Sequence, residues 1–146
     1  GDYNPFNLLV FDGQQLLGLE SRHARLLRLE PGLGGVSNAD FNSAWPKLDQ
    51  LKSGLQTGLQ RPAAPSTEWL DLLQSRTPVP DAQLPCTGVA LEWERSLAST
   101  FVSTAVYGTR ASSVVRIGST QVEFVEQVFD ANGPVSRQQI EFCLSP

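Results

Sequence analysis

The chain has 146 residues, 40% of them hydrophobic and 18% charged, with a formal net charge of −4. This fits a globular chain able to bury a core, read as a single domain over residues 1–146. The acidic balance argues against nucleic acid as a partner, and no apolar run approaches the ~20 residues that would span a membrane.

The first residues, Gly1-Asp2-Tyr3-Asn4, carry no basic stretch followed by an apolar one, so the protein reads as cytoplasmic. Cys86 and Cys143 are then expected as free thiols in a reducing compartment. The absence of Met, with a leading Gly, suggests a trimmed piece of a longer protein.

Asn7–Phe11 and Gln15–Leu19 flank Asp12-Gly13, whose preference for tight turns predicts a hairpin. The first strand is apolar almost throughout and is expected at the centre of a sheet. A third strand is predicted over Arg25–Leu29. Gly34 and Gly35 resemble a phosphate loop at a glance, but no helix is expected to open directly inside them, so a tight turn is the better reading.

Trp45, Leu48, Leu51, Leu55 and Leu59 recur at helical spacing, with Pro46 in the first turn and Pro62 and Pro65 as terminators. Gly54 and Gly58 weaken the far end of this helix, each by about 1 kcal/mol relative to Ala. A second helix is expected to start near Ser66 or Thr67 as N-cap and to bury Trp69, Leu70 and Leu73. Residues 76–88 form a proline-rich surface loop. A third helix is predicted over Val89–Leu97.

The remainder reads as strands at Phe101–Val106, Ala111–Ile117, Gln121–Phe129 and Ser136–Leu144, with turns at Gly118-Ser119 and Asn132-Gly133. The expected fold is α+β, an antiparallel sheet with two or three helices gathered on one face.

Chemistry-bearing residues are sparse. His23, the only histidine, lies in a polar stretch and is expected to face solvent. One His and two distant Cys give no zinc-site spacing, and no motif calls for a cofactor. The pairs Glu92/Glu94 and Glu123/Glu126 read as solvated surface. Cys86 would be a nucleophile only with a lowered pKa, and Cys143 reads as a packing residue.

Asn38 and Arg110 stand out, each beside small residues at the end of a short strand. Asn can donate to a developing oxyanion, and Arg can clamp a carboxylate. The plainer alternative is that Asn38 caps a turn and Arg110 pairs with a surface carboxylate.

Five segments in order carry a resemblance: Tyr3-Asn4-Pro5-Phe6-Asn7-Leu8-Leu9, Gly35-Val36-Ser37-Asn38-Ala39, Trp45-Pro46-Lys47-Leu48, Leu91-Glu92-Trp93-Glu94-Arg95 and Tyr107-Gly108-Thr109-Arg110-Ala111-Ser112-Ser113. Together they resemble the later part of the NRDE family, the bacterial relatives of the animal Transport and Golgi Organisation protein 2. Members of that family begin Met-Cys and carry an Asn-Arg-Asp-Glu motif, and this chain has neither. It therefore resembles the C-terminal portion of such a protein.

The resemblance implies part of an Ntn-hydrolase-like αββα sandwich in which the Cys at the second position would be the nucleophile. Asn38 and Arg110 would then be supporting site residues, and this chain alone would be inactive. Two further readings come with it. One is a carrier of haem or another amphipathic ligand, with Tyr3, His23 or Tyr107 as axial ligand; the other is a structural or interaction domain. The implied partners are the missing N-terminal half, a small-molecule ligand, or a second copy forming a homodimer over a bare sheet face.

Overall fold

A computed structural model describes residues 4–61 and 64–144. The chain opens with a three-stranded antiparallel meander of β1 (Asn7–Phe11), β2 (Leu16–Glu20) and β3 (Arg25–Leu29). The Asp-Gly hairpin forms as expected. Gly13 takes φ 97°, and Asp12 Oδ1 accepts the amides of Gln14 and Gln15, both at 2.8 Å. Those backbone donors hold the Asp12 carboxyl below its ordinary 3.8.

β1 is an edge strand and not the central one, because the two tight turns that flank β2 put β2 in the middle. Its unbroken apolar run reflects two half-open faces. Leu8, Leu9, Val10 and Phe11 are each 43–50% exposed.

The connection after β3 folds back under this sheet without a helix at Gly34-Gly35, so no phosphate loop forms. Asn42, at φ 58°, accepts the Gly35 amide on its side chain and donates its own amide to the Gly35 carbonyl at 2.7 Å. A Cβ on Gly35 would lie 2.5 Å from Leu48 Cδ1, so this glycine makes room for a core leucine. The Phe41 ring sits the same way over Gly18.

α1 (Pro46–Leu59) starts with Pro46 where a missing N–H does no harm. Pro62, the expected terminator, lies outside the described residues, and the helix ends before it at Gln60. Gly54 proves to be an asset of packing, because a Cβ there would lie 2.8 Å from Leu72 of the next helix. Lys47 donates to the Leu97 carbonyl at 2.9 Å over the Trp45 ring, and burial pulls its pKa below the usual lysine value.

α2 spans Ser66–Leu72, with Pro65 at the N-cap and no side-chain cap. Ser66, expected as a cap, instead donates its hydroxyl to Glu123 Oε2 at 2.5 Å. Leu70 of α2 is completely buried against the second sheet.

The proline-rich loop carries one 3-10 turn at Asp81–Gln83, where Asp81 takes a bidentate grip from Arg95 at 2.8 and 2.6 Å. α3 (Leu91–Leu97) follows. Glu94 is buried, contrary to the surface reading. Its Oε1 accepts both the amide and the hydroxyl of Thr87 at 2.7 and 2.6 Å, which fixes the loop to the helix.

Residues 101–106 do not form the expected strand. Thr104 bonds through its backbone N–H and its hydroxyl to Tyr107, and this local turn competes with a ladder, leaving one bridge between Ser103 and Gly108. The chain then forms β4 (Ala111–Ile117), β5 (Gln121–Asp130) and β6 (Gly133–Cys143), a second antiparallel meander with an irregularity at Val128/Phe129.

The protein is thus α+β, with two three-stranded sheets where one was expected. In the second sheet α2 covers the face bearing Val125, and Phe101 meets Phe129 edge-on at 4.8 Å. On the opposite face Val115, Ile117, Ile140 and Phe142 are each 50–55% exposed. No helix among the described residues is long and apolar enough to cross a membrane.

Candidate functional site

Arg110 and Asn38 line separate concavities. Sequence reasoning paired them, and no contact joins them among the described residues.

The first concavity is built by the failed strand. The turn at Thr104–Tyr107 carries the chain outward, and Gly108 brings it back within reach of Val102. A Cβ on Gly108 would lie 3.0 Å from the Val102 carbonyl oxygen, tighter than an ordinary contact, so glycine eases the close approach of the two backbones. Thr109 completes the lock, donating its amide to that carbonyl at 2.9 Å and accepting the Val102 amide on its hydroxyl at 3.0 Å. Arg110 follows at once. Its carbonyl accepts the amide of Phe129 at 2.9 Å, which anchors the base of its side chain to β5.

The result is a cleft of about 390 Å³ between residues 101–110 and the β5–β6 turn, within the range of small-molecule sites. Two arginines, Arg76 and Arg110, share its lining. Arg76 lies over the Phe101 ring, its Cζ 4.8 Å from the ring centre. The one carboxylate in the lining, Asp130, accepts the amides of Asn132 and Gly133 on Oδ1 and so serves the turn. Tyr107 adds a phenol and an apolar ring face, 57% exposed. A chain of net charge −4 therefore carries a locally cationic cleft with aromatic walls.

The second concavity is about 20 Å³, room for roughly one water. Asn38 lines it beside Arg22 and Asp40. The backbone around Asn38 is deliberately held. Asn7 Nδ2 donates to the carbonyls of Ser37 and Ala39 at 3.1 and 2.8 Å, bracketing it on both sides.

Beneath this corner lies a charge network that the sequence did not suggest. Glu20, 1% exposed, accepts the Phe41 amide at 2.8 Å and meets Arg25 at 3.4 Å. Arg25 reaches Asp40 at 3.9 Å, and Asp40 meets His23 at 3.4 Å. His23 is half exposed, as expected, and its partner is a carboxylate.

The remaining candidates do not converge on either concavity. Cys86 and Cys143 are exposed free thiols. The charge built beside Cys86 is the Glu94 carboxylate that holds Thr87, opposite in sign to what a reactive thiolate requires. Glu123, read as solvated, is tied to Ser66, Gln139 and Arg116. Tyr3 lies outside the described residues. No group of three or more His, Cys, Asp or Glu able to hold a metal occurs among the described residues.

Arg76 and Asn7 are the residues that sequence reasoning missed. Arg76 carried no local signal, because it joins Arg110 only through the fold. Asn7 sat inside a motif already singled out, with nothing to show that it would hold residues 37–39.

The family model described as Transport and Golgi organisation 2 matches residues 1–131. No curated protein matches the chain.

Proposed function

We propose, from the premise that this chain belongs to the Transport and Golgi organisation 2 family, that it binds a carboxylate-bearing amphipathic small molecule in the Arg76–Arg110 cleft. The observation that carries this is that two arginines line one aromatic-walled cleft of about 390 Å³. Arg110 clamps the carboxylate, Arg76 contributes a second charge stacked on Phe101, and Tyr107 packs against the apolar part of the ligand. Haem, which carries two carboxylates on an apolar ring, is one ligand of this class and is treated as cargo. Tyr107 is the candidate axial ligand within the cleft.

Geometry favours binding over the amide-hydrolase reading. A hydrolase using Asn38 as oxyanion donor and Arg110 as clamp needs both beside one reacting carbonyl, and they line separate concavities.

The test is titration with haem, followed at the Soret band, and with a long-chain fatty acid, followed by calorimetry. Binding of either in the micromolar range is expected to weaken about tenfold or more in Arg110→Ala, as for loss of a charged hydrogen bond worth about 1.5–3 kcal/mol. Arg76→Ala should weaken it less, and Asn38→Ala not at all. No binding of either probe, or binding indifferent to Arg110, would overturn the assignment.

A further inference from the structure

The last strand has an unclaimed side. β6 runs from Gly133 to Cys143, the longest strand described, and among the described residues it pairs with β5 alone. Every residue from Pro134 to Cys143 is exposed. It lies beyond the residues matched by the family model, so nothing about it is borrowed from the family.

The ladder register tells which groups face outward. The Leu144 amide donates to Thr120 at 2.8 Å, and the pairs Phe142↔Val122 and Ile140↔Phe124 continue that phase. In an antiparallel ladder the hydrogen-bonded residues alternate. From Ser136 onward the even-numbered residues of β6 therefore turn N–H and C=O toward β5, and Arg137, Gln139, Glu141 and Cys143 turn theirs to the open edge. A long edge of this kind is a template for another strand unless it is blunted. No lysine interrupts the outward row from Arg137 to Cys143, and the ladder irregularity, where Val135 is skipped between Ser136 and Pro134, lies before it.

We propose that the occupant of this edge is β6 of a second copy, paired antiparallel about a two-fold axis through Gln139. The argument is charge complementarity. Arg137 and Glu141 lie on one face of the strand, four residues and about 13 Å apart, too far to pair with each other. Among the described residues each has only neutral hydrogen-bond partners: Arg137 donates to Gln127, and Glu141 accepts from Gln121 and Gln139. A two-fold at Gln139 sets Arg137 directly opposite Glu141 of the other copy, twice. Shifting the register removes both pairs while keeping backbone hydrogen bonds, so the charges choose the register.

This register uses only odd-numbered residues as hydrogen-bonded pairs, the same residues whose backbone groups point outward. The two phases agree without adjustment. The product is one six-stranded sheet, and because the contact is isologous it closes at two copies.

Sedimentation velocity on the full chain across the micromolar range tests this. The chain should sediment at dimer mass, and Arg137→Glu or Glu141→Arg alone should weaken association at least about tenfold by setting like charges opposite each other twice. The double variant R137E/E141R should restore the dimer. Failure to restore it, with the circular-dichroism spectrum unchanged, would overturn the proposal, as would monomer mass at every concentration. A second readout does not depend on charge. Gln139→Cys, in a C86S/C143S background, places two sulfurs at the axis with Cα atoms about 5.5 Å apart, inside disulfide range. Oxidation should give a covalent dimer; its absence would also overturn the register.

Discussion

Glycine does two different jobs in this chain, and only the environment of each residue separates them. Gly13 is needed for its backbone angle, at φ 97° in the first hairpin. Gly35 and Gly108 are needed for space, one against a core leucine and one against a backbone carbonyl. Gly35→Ala would press its Cβ to 2.5 Å from Leu48, itself only 5% exposed, and should destabilise by about 1–3 kcal/mol through overpacking. Chemical denaturation reads this directly; an unchanged midpoint would mean that Leu48 can swing away. Gly108→Ala meets a carbonyl at 3.0 Å that is itself hydrogen-bonded to Thr109. It should disturb Arg110 more than global stability, and so weaken ligand binding with only a small shift in unfolding. The sequence showed small residues beside Arg110 but gave no sign of what Gly108 would lie against. The neighbour, Val102, belonged to a segment read as a strand. Local hydrogen bonding by Thr104 defeated that reading, and hydrophobic pattern does not register such bonds.

Elements with a strong period or an Asp-Gly or Asn-Gly turn were legible: the first hairpin, α1, and the β4–β6 meander follow their sequence signals closely. What pattern could not show is how the short elements are held, because that depends on single side chains reaching across loops. The proline-rich loop is the example. It is fixed by Glu94 accepting from Thr87 and by Arg95 gripping Asp81. The hydrogen bond from Arg95 holds the Asp81 carboxyl below its ordinary 3.8. A carboxyl lowered by folding contributes stability that is present above the unfolded value and is lost as pH falls through the folded one. The melting temperature should therefore fall as pH drops below 3.8. Asp12 adds to that slope through its backbone donors. Asp81→Asn should make the acid-side fall shallower while leaving neutral-pH secondary structure intact, measured by thermal melts across pH. An identical slope in the variant would show that the pair contributes nothing in solution.

At the scale of the molecule, the cationic cleft and the open edge of β6 both adjoin the second sheet, and both use arginine. Sequence alone could not separate them. Arg110 stood out beside small residues and Arg137 carried no signal of its own, and only the fold sets one at a cleft and the other on an edge strand. The two sites share the β5–β6 turn, since Asp130, Asn132 and Gly133 line the cleft and Gly133 begins β6. Coupling between them therefore has a physical route. Yet the turn is braced by Asp130 accepting two amides whether or not β6 is paired, so the two events should be nearly independent. The crossed experiment follows. Arg110→Ala should leave the sedimentation of the chain unchanged, and Arg137→Glu should leave ligand affinity within about twofold, a coupling below ~0.5 kcal/mol. If charge reversal at Arg137 weakens ligand binding tenfold while the chain stays folded, the β5–β6 turn transmits the state of the edge to the cleft. The second copy would then be a regulator of binding and not a bystander.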